Sequence, residues 1–133
     1  MANILHQWRI LVVEDDNFLS KAYTLKIEKA GYTVKTCADG AEALKELPNF
    51  APDLIILDLV MPKMDGFSFL AQLKNMNLPK KPSIIVATNL GEKSDIDKAI
   101  SLGAADYVVK SDMSMNGLLE KIEKHLGTAQ AGS

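Results

Sequence analysis

A single cysteine, Cys37, occurs among the 133 residues. An internal disulfide is therefore impossible and a zinc cluster is excluded. Cys37 itself reads as a small strand residue rather than a reactive thiol. No apolar run approaches the ~20 residues that cross a bilayer, and Met1 to Gln7 lack the charged segment and apolar core of a secretion signal. A cytoplasmic chain without a membrane partner is the expectation. Basic residues are not in excess: the formal net charge is −2, with both signs interspersed. Nothing here argues for nucleic acid, and no acidic tail offers a charged arm. Internal repeats, low-complexity segments and linkers are also missing. What remains is a composition 47% apolar and 24% charged, the balance of one globular domain large enough to bury a core.

Four short runs rich in branched side chains punctuate the chain: Ile10–Val13, Leu54–Leu57, Ile84–Ala87 and Tyr107–Val109. Continuous rather than alternating apolarity suits strands covered on both faces, as in a parallel sheet. Thr33–Cys37 alternates and reads as an edge strand. Helical spacing fills the gaps. Phe18, Ala22 and Leu25 form one stripe, stopped by Gly31. Asp39 can cap a helix carrying Ala43, Leu44 and Leu47, with Glu42 placed for a capping box. Asp65-Gly66 opens a helix with Leu70 and Leu73, and Ser94 can cap one with Ile96, Ala99 and Ile100, closed by Gly103. A last helix carries Leu118, Leu119, Ile122 and Leu126. Pro48–Pro52 and Pro79–Pro82 read as loops, Lys80-Lys81 as solvated.

Five strands alternating with five helices predict a single doubly wound α/β domain with right-handed crossovers and helices on both faces. Placing the alternating strand at an edge gives the order 2-1-3-4-5, the flavodoxin-like arrangement. The expected domain covers residues 8–127, after a leader at 1–7 and before a loose tail at 128–133.

In such sheets ligands bind beyond the carboxyl ends of the strands, where strand order reverses. Here that point lies between the first and third strands, which end in Glu14-Asp15-Asp16 and Asp58. Two carboxylates about 5 Å apart at an effective dielectric near 20 repel by roughly 3 kcal/mol. A proton or a cation must relieve such a cluster, and oxygen donors of this kind suit Mg²⁺. Asp16 by itself reads as the cap of the first helix, whereas Glu14, Asp15 and Asp58 together read as a metal site. Thr88 and Lys110 end the fourth and fifth strands at the same sheet edge. One hydroxyl, one ammonium and a nucleophilic carboxylate are parts suited to a phosphoryl group.

Four segments in order, Ile10–Asp16, Pro52–Gly66, Ile85–Thr88 and Gly103–Lys110, resemble the signatures of response-regulator receiver domains. The resemblance implies a two-component signalling switch that catalyses only its own Mg²⁺-dependent phosphorylation and dephosphorylation. Asp58 would accept the phosphoryl group from a histidine kinase or histidine phosphotransfer protein. Glu14, Asp15, Asp58 and the backbone carbonyl of Val60 would hold Mg²⁺. Thr88 and Lys110 would bind the phosphoryl oxygens, Tyr107 would change rotamer, and a downstream protein would read the face of the fourth helix, fifth strand and fifth helix. Within these residues no output domain follows the last helix, which leaves open a free-standing regulator or one part of a longer protein.

Three departures from the family pattern stand out. Ser111 follows Lys110 where proline is usual, often through a cis bond, which without proline costs roughly 3–4 kcal/mol. Asn89 stands where a small residue is usual and narrows access. Val60 and Leu90 are apolar at the positions that would orient an attacking water, so the acyl phosphate is expected to be long-lived. The competing reading is a degenerate receiver, an interaction module that works without phosphorylation. A flavin protein is disfavoured because Glu-Asp-Asp has the wrong charge for a phosphate loop, and a phosphatase because no segment is long enough for a cap. Trp8, Met113 and Met115 read as packing residues, and neither His6 nor His125 has metal-ligand spacing.

Overall fold

Each apolar run ends at a polar residue, and the chain turns there. The computed structural model describes residues 7–127; the rest of the expected leader, with His6, and the tail at 128–133 lie outside the described residues. In chain order come β1 (Arg9–Val13), α1 (Asn17–Lys29), β2 (Thr33–Cys37), α2 (Gly40–Phe50), β3 (Leu54–Leu57) and α3 (Gly66–Lys74). They are followed by β4 (Ser83–Thr88), α4 (Lys93–Ser101), β5 (Asp106–Val109), a 3-10 turn at Lys110–Asp112 and α5 (Met115–Leu126). The sheet is parallel throughout, in the order β2-β1-β3-β4-β5, as the sequence led us to expect.

The continuous runs are buried on both faces for the expected reason. Leu11, Val13, Ile55, Leu57 and Val86 pack under α2, α3 and α4 with Ala43, Leu47, Phe69 and Leu70. Their alternates Ile10, Val12, Ile56 and Ile85 pack under α1 and α5 with Tyr23, Ile27, Leu118 and Ile122. Each fully buried side chain of this kind contributes about 1.5–3 kcal/mol. Trp8, Met113 and Met115 are half-buried against the second layer, as packing residues should be. Cys37 is buried at the end of β2, and burial pushes its thiol up to about 12. That keeps it protonated and inert.

Several local expectations are corrected. The α1 stripe is the wrong one: Phe18 and Leu25 are 85% and 71% exposed, while Ser20, Tyr23 and Ile27 face the sheet. Both stripes have helical spacing. Which one turns inward depends on how β1 and the Asp16 cap deliver the chain, and periodicity does not carry that. Helix α2 runs through Pro48 to Phe50 instead of stopping at a proline loop. Pro48 sits in the last turn, and Phe50 is anchored in the core. Helix α4 starts at Lys93, so its cap is Glu92, without a side-chain cap bond, and not Ser94. Strand β5 is an edge strand, half-buried throughout. Lys80 is not merely solvated; its ammonium pairs with Asp53.

Candidate functional site

At the point where strand order reverses, the ladders extend one residue past the strands. The Glu14 N–H donates to the Cys37 carbonyl at 3.0 Å and the Asp58 N–H to the Val13 carbonyl at 3.1 Å. Both acids are thus held by the sheet itself. Below Asp58 the backbone of Gly66 presses close. A Cβ there would lie 2.5 Å from the Asp58 carbonyl oxygen and 2.6 Å from the Leu59 Cα, so the Asp65-Gly66 pair is dictated by contact as well as by turn chemistry. Asp65 caps α3 by accepting from the Ser68 N–H at 2.8 Å. Asp16 caps α1 by accepting from the Leu19 N–H at 3.1 Å, the role expected of it.

Glu14, Asp15 and Asp58 each offer a carboxylate oxygen, and these lie within 4.8 Å of one another. Glu14 and Asp58 are buried, while Asp15 is exposed. The cation that relieves them in this structure belongs to the chain. The Lys110 ammonium is 2.6 Å from Glu14 Oε1 and 2.8 Å from Asp58 Oδ2. Among the described residues every peptide bond is trans. Lys110 therefore reaches the pocket from a trans Lys110–Ser111 bond. Burial disfavours its charge, but Asp58 and Glu14 outweigh that and raise its pKa. Burial also raises the Glu14 carboxyl, against the pull of Lys110 and the Asp16 N–H. Three carboxylates facing one ammonium leave two negative charges. Compact hard-oxygen donors with that residual charge fit a divalent cation such as Mg²⁺.

The remaining expected residues border this cluster. Thr88, fully buried, ends β4, and among the described residues its Oγ1 has only a long 3.5 Å contact from the Leu90 N–H. Val60 donates its N–H to Asp58 Oδ1 at 3.2 Å and leaves its side chain 58% exposed. Asn89 is exposed and Leu90 half-buried. Tyr107 is half-buried on β5, and its hydroxyl donates to the Leu90 carbonyl at 2.5 Å. That bond ties β5 to the loop after Thr88.

Two features escaped the sequence reading. Tyr23 is fully buried on the inner side of α1, and its hydroxyl has no hydrogen-bond partner among the described residues. Burial pushes its phenol up to about 12. A tyrosine off the expected stripe gave no signal in the sequence. At the opposite sheet edge, Asp106 on β5 accepts from Lys121 at 3.2 Å and lies 3.1 Å from His125 Nε2. The acid lies 15 and 19 residues before its α5 partners, a spacing that only the fold explains. Among the described residues no helix is long and apolar enough to cross a membrane.

A family model described as response regulator receiver domain matches residues 10–123. The chain is 38% identical over 102 residues to the alkaline phosphatase synthesis transcriptional regulatory protein PhoP of Bacillus subtilis, covering 77% of this chain and 42% of that protein. It is 33% identical over 118 residues to the chemotaxis protein CheY of Treponema pallidum, covering 86% of this chain and 80% of that protein. The chain thus spans half or less of several relatives, including a probable transcriptional regulator ycf27 of Guillardia theta of which it covers 39%. Among solved structures, the Vibrio cholerae chemotaxis protein CheY4 superposes with a TM-score of 0.83 at 28% identity, over 90% of this chain and 99% of that one.

Proposed function

This chain belongs to the response regulator receiver family of two-component signalling, and from that premise we propose that Asp58 is its phosphoacceptor. A carboxylate oxygen of Asp58 attacks the phosphorus of a phosphohistidine on a histidine kinase or phosphotransfer protein. The P–N bond breaks and an acyl phosphate forms. Glu14, Asp15, Asp58 and the Val60 carbonyl are the ligands assigned to Mg²⁺, which when bound neutralises phosphoryl oxygens. The observation that carries this reading is the clustering of Glu14, Asp15 and Asp58 oxygens within 4.8 Å, with the Lys110 ammonium paired to Glu14 and Asp58.

The switch then follows from what the residues gain. A phosphoryl group brings roughly −1.5 to −2 charge and three acceptor oxygens. Lys110 exchanges a carboxylate for a phosphoryl oxygen. The Thr88 hydroxyl, held by one long contact, gains a strong acceptor. A full shift from 1:99 to 99:1 needs about 5.5 kcal/mol of differential interaction; the new Thr88 bond to a charged acceptor, at roughly 1.5–3 kcal/mol, supplies part of it. Movement of Thr88 changes the loop whose Leu90 carbonyl holds Tyr107. Tyr107 thereby links the site to the face of α4, β5 and α5, where a downstream protein binds. Residues 8–127 act as the self-contained switching unit, in the cytoplasm. With Val60 and Leu90 apolar and Asn89 at the entrance, no side chain at these positions orients a hydrolytic water as an acid or base. The acyl phosphate therefore persists well beyond seconds.

Intact-mass measurement with acetyl phosphate and Mg²⁺ tests the assignment. Wild type gains one phosphoryl group and Asp58→Asn gains none. Labelling of the variant would move the phosphoacceptor elsewhere, and no labelling of wild type would leave a phosphorylation-independent module. Loss of the label within seconds would refute the lifetime argument.

A further inference from the structure

The Tyr23 hydroxyl is a fully buried side-chain oxygen with no hydrogen-bond partner among the described residues. An unpartnered buried hydroxyl is costly, and phenylalanine would fill almost the same space without that cost. The hydroxyl has a physical rationale if another state of the molecule gives it a partner.

Its location says which partner. Ser20, Tyr23 and Ile27 form the inward side of α1, whose start is fixed by Asp16. Tyr23 lies about 10 Å along the helix from that cap at ~1.5 Å per residue, and long helical side chains lean back toward the N-terminus. The phenol therefore reaches toward the acid pocket. Lys110, Glu14, Asp58 and Asp16 are charged groups near enough to act on it. Lys110 has three N–H groups and uses two, on Glu14 and Asp58. When Asp58 becomes an acyl phosphate, Lys110 exchanges that carboxylate for a phosphoryl oxygen and still has its third N–H to place.

We infer that Tyr23 is a positioning residue for Lys110: in the phosphorylated site its hydroxyl oxygen accepts an N–H from the Lys110 ammonium and holds it on the phosphoryl oxygen. This rests on the assignment of Asp58 as phosphoacceptor.

Tyr23→Phe in the full chain tests it, with beryllofluoride and Mg²⁺ as a stable stand-in for the phosphoryl group. Without them, the variant melts at the same temperature as wild type or higher. With them, it binds beryllofluoride about tenfold more weakly, the equivalent of one charge-assisted hydrogen bond. The Lys110 ammonium signal in the NMR spectrum shifts between wild type and variant only in the loaded state. Fluorotyrosine at position 23 keeps the hydroxyl but weakens it as an acceptor; it moves affinity the same way by a smaller step and covers the case of a variant that does not fold. Equal affinity in wild type and variant, or an equal loss of stability in both states, overturns the inference. If wild type neither takes label from acetyl phosphate nor binds beryllofluoride, the Asp58 assignment fails and this inference with it. If wild type does both and the variant matches it, only the role of Tyr23 fails.

Discussion

Asp53 and Asp58 bracket one strand, β3, and are almost equally buried, at 8% and 6% exposed. Their surroundings differ completely. Asp53, at the amino end, accepts the Arg9 N–H at 2.8 Å and, among the described residues, has the Lys80 ammonium to itself. Asp58, at the carboxyl end, shares one ammonium with Glu14 and has Asp15 beside it. The same side chain is electrically closed at one end of the strand and left short of positive charge at the other. Burial of an acid therefore does not mark function. A carboxylate whose partners are too few for its neighbours does.

The sharpest way to break this contrast is labelling. Asp58→Asn abolishes phosphoryl gain by intact mass, whereas Asp53→Asn takes the label as wild type does. Equal loss in both would show that the two ends are not independent. The next largest effect concerns the floor of the pocket. Gly66→Ala drives a methyl into the Asp58 carbonyl and the Leu59 backbone; rigid neighbours make this cost about 3 kcal/mol in urea unfolding, the upper part of the overpacking range. Asp53→Ala strips the partner from a backbone N–H and an ammonium and costs about 1–3 kcal/mol. Asp58→Ala, measured by the same unfolding without Mg²⁺, costs less than that or stabilises, because it relieves repulsion within the acid cluster.

The smallest effect is in pH dependence, where the two edges have opposite signs. Asp106, at the amino edge, is desolvated, but His125, the Tyr107 N–H and Lys121 hold its carboxyl below the ordinary 3.8. The folded state then binds its proton less readily than the unfolded chain. Its contribution is present above 3.8 and is lost as pH falls below that value. Glu14, at the carboxyl edge, is raised above its ordinary 4.5, chiefly by burial. The folded state binds its proton more readily, so stability falls as pH rises from 4.5 through the raised value. Urea unfolding across pH 3 to 7 reads both slopes; Asp106→Asn removes the first and Glu14→Gln the second. A Glu14→Gln variant that retains the downward slope would sink the assignment.

Much of this was legible from the sequence because a parallel sheet brings the carboxyl ends of its strands to one edge. Finding Ile10–Val13, Leu54–Leu57, Ile84–Ala87 and Tyr107–Val109 was enough to gather Glu14, Asp15, Asp58, Thr88 and Lys110 in one place. Position along the chain became position in space without any side-chain detail. What stayed hidden depends on packing between elements. The inward face of α1 is set by how two layers meet, so periodicity alone points to Leu25 as core and leaves Tyr23 unmarked. Lys80 finds Asp53 across 27 residues, and Pro48 stays in a helix because Phe50 beyond it is buried. The pocket was expected to need an outside cation, and the ammonium of Lys110 already fills part of that need.

The bare backbone at Gly66 has a mechanical consequence. With no side chain between them, the first turn of α3 and the main chain of Asp58 touch as two rigid surfaces, and packed protein matter compresses little. A displacement of the Asp58 backbone must therefore pass to the start of α3 with no play, like one gear tooth against the next.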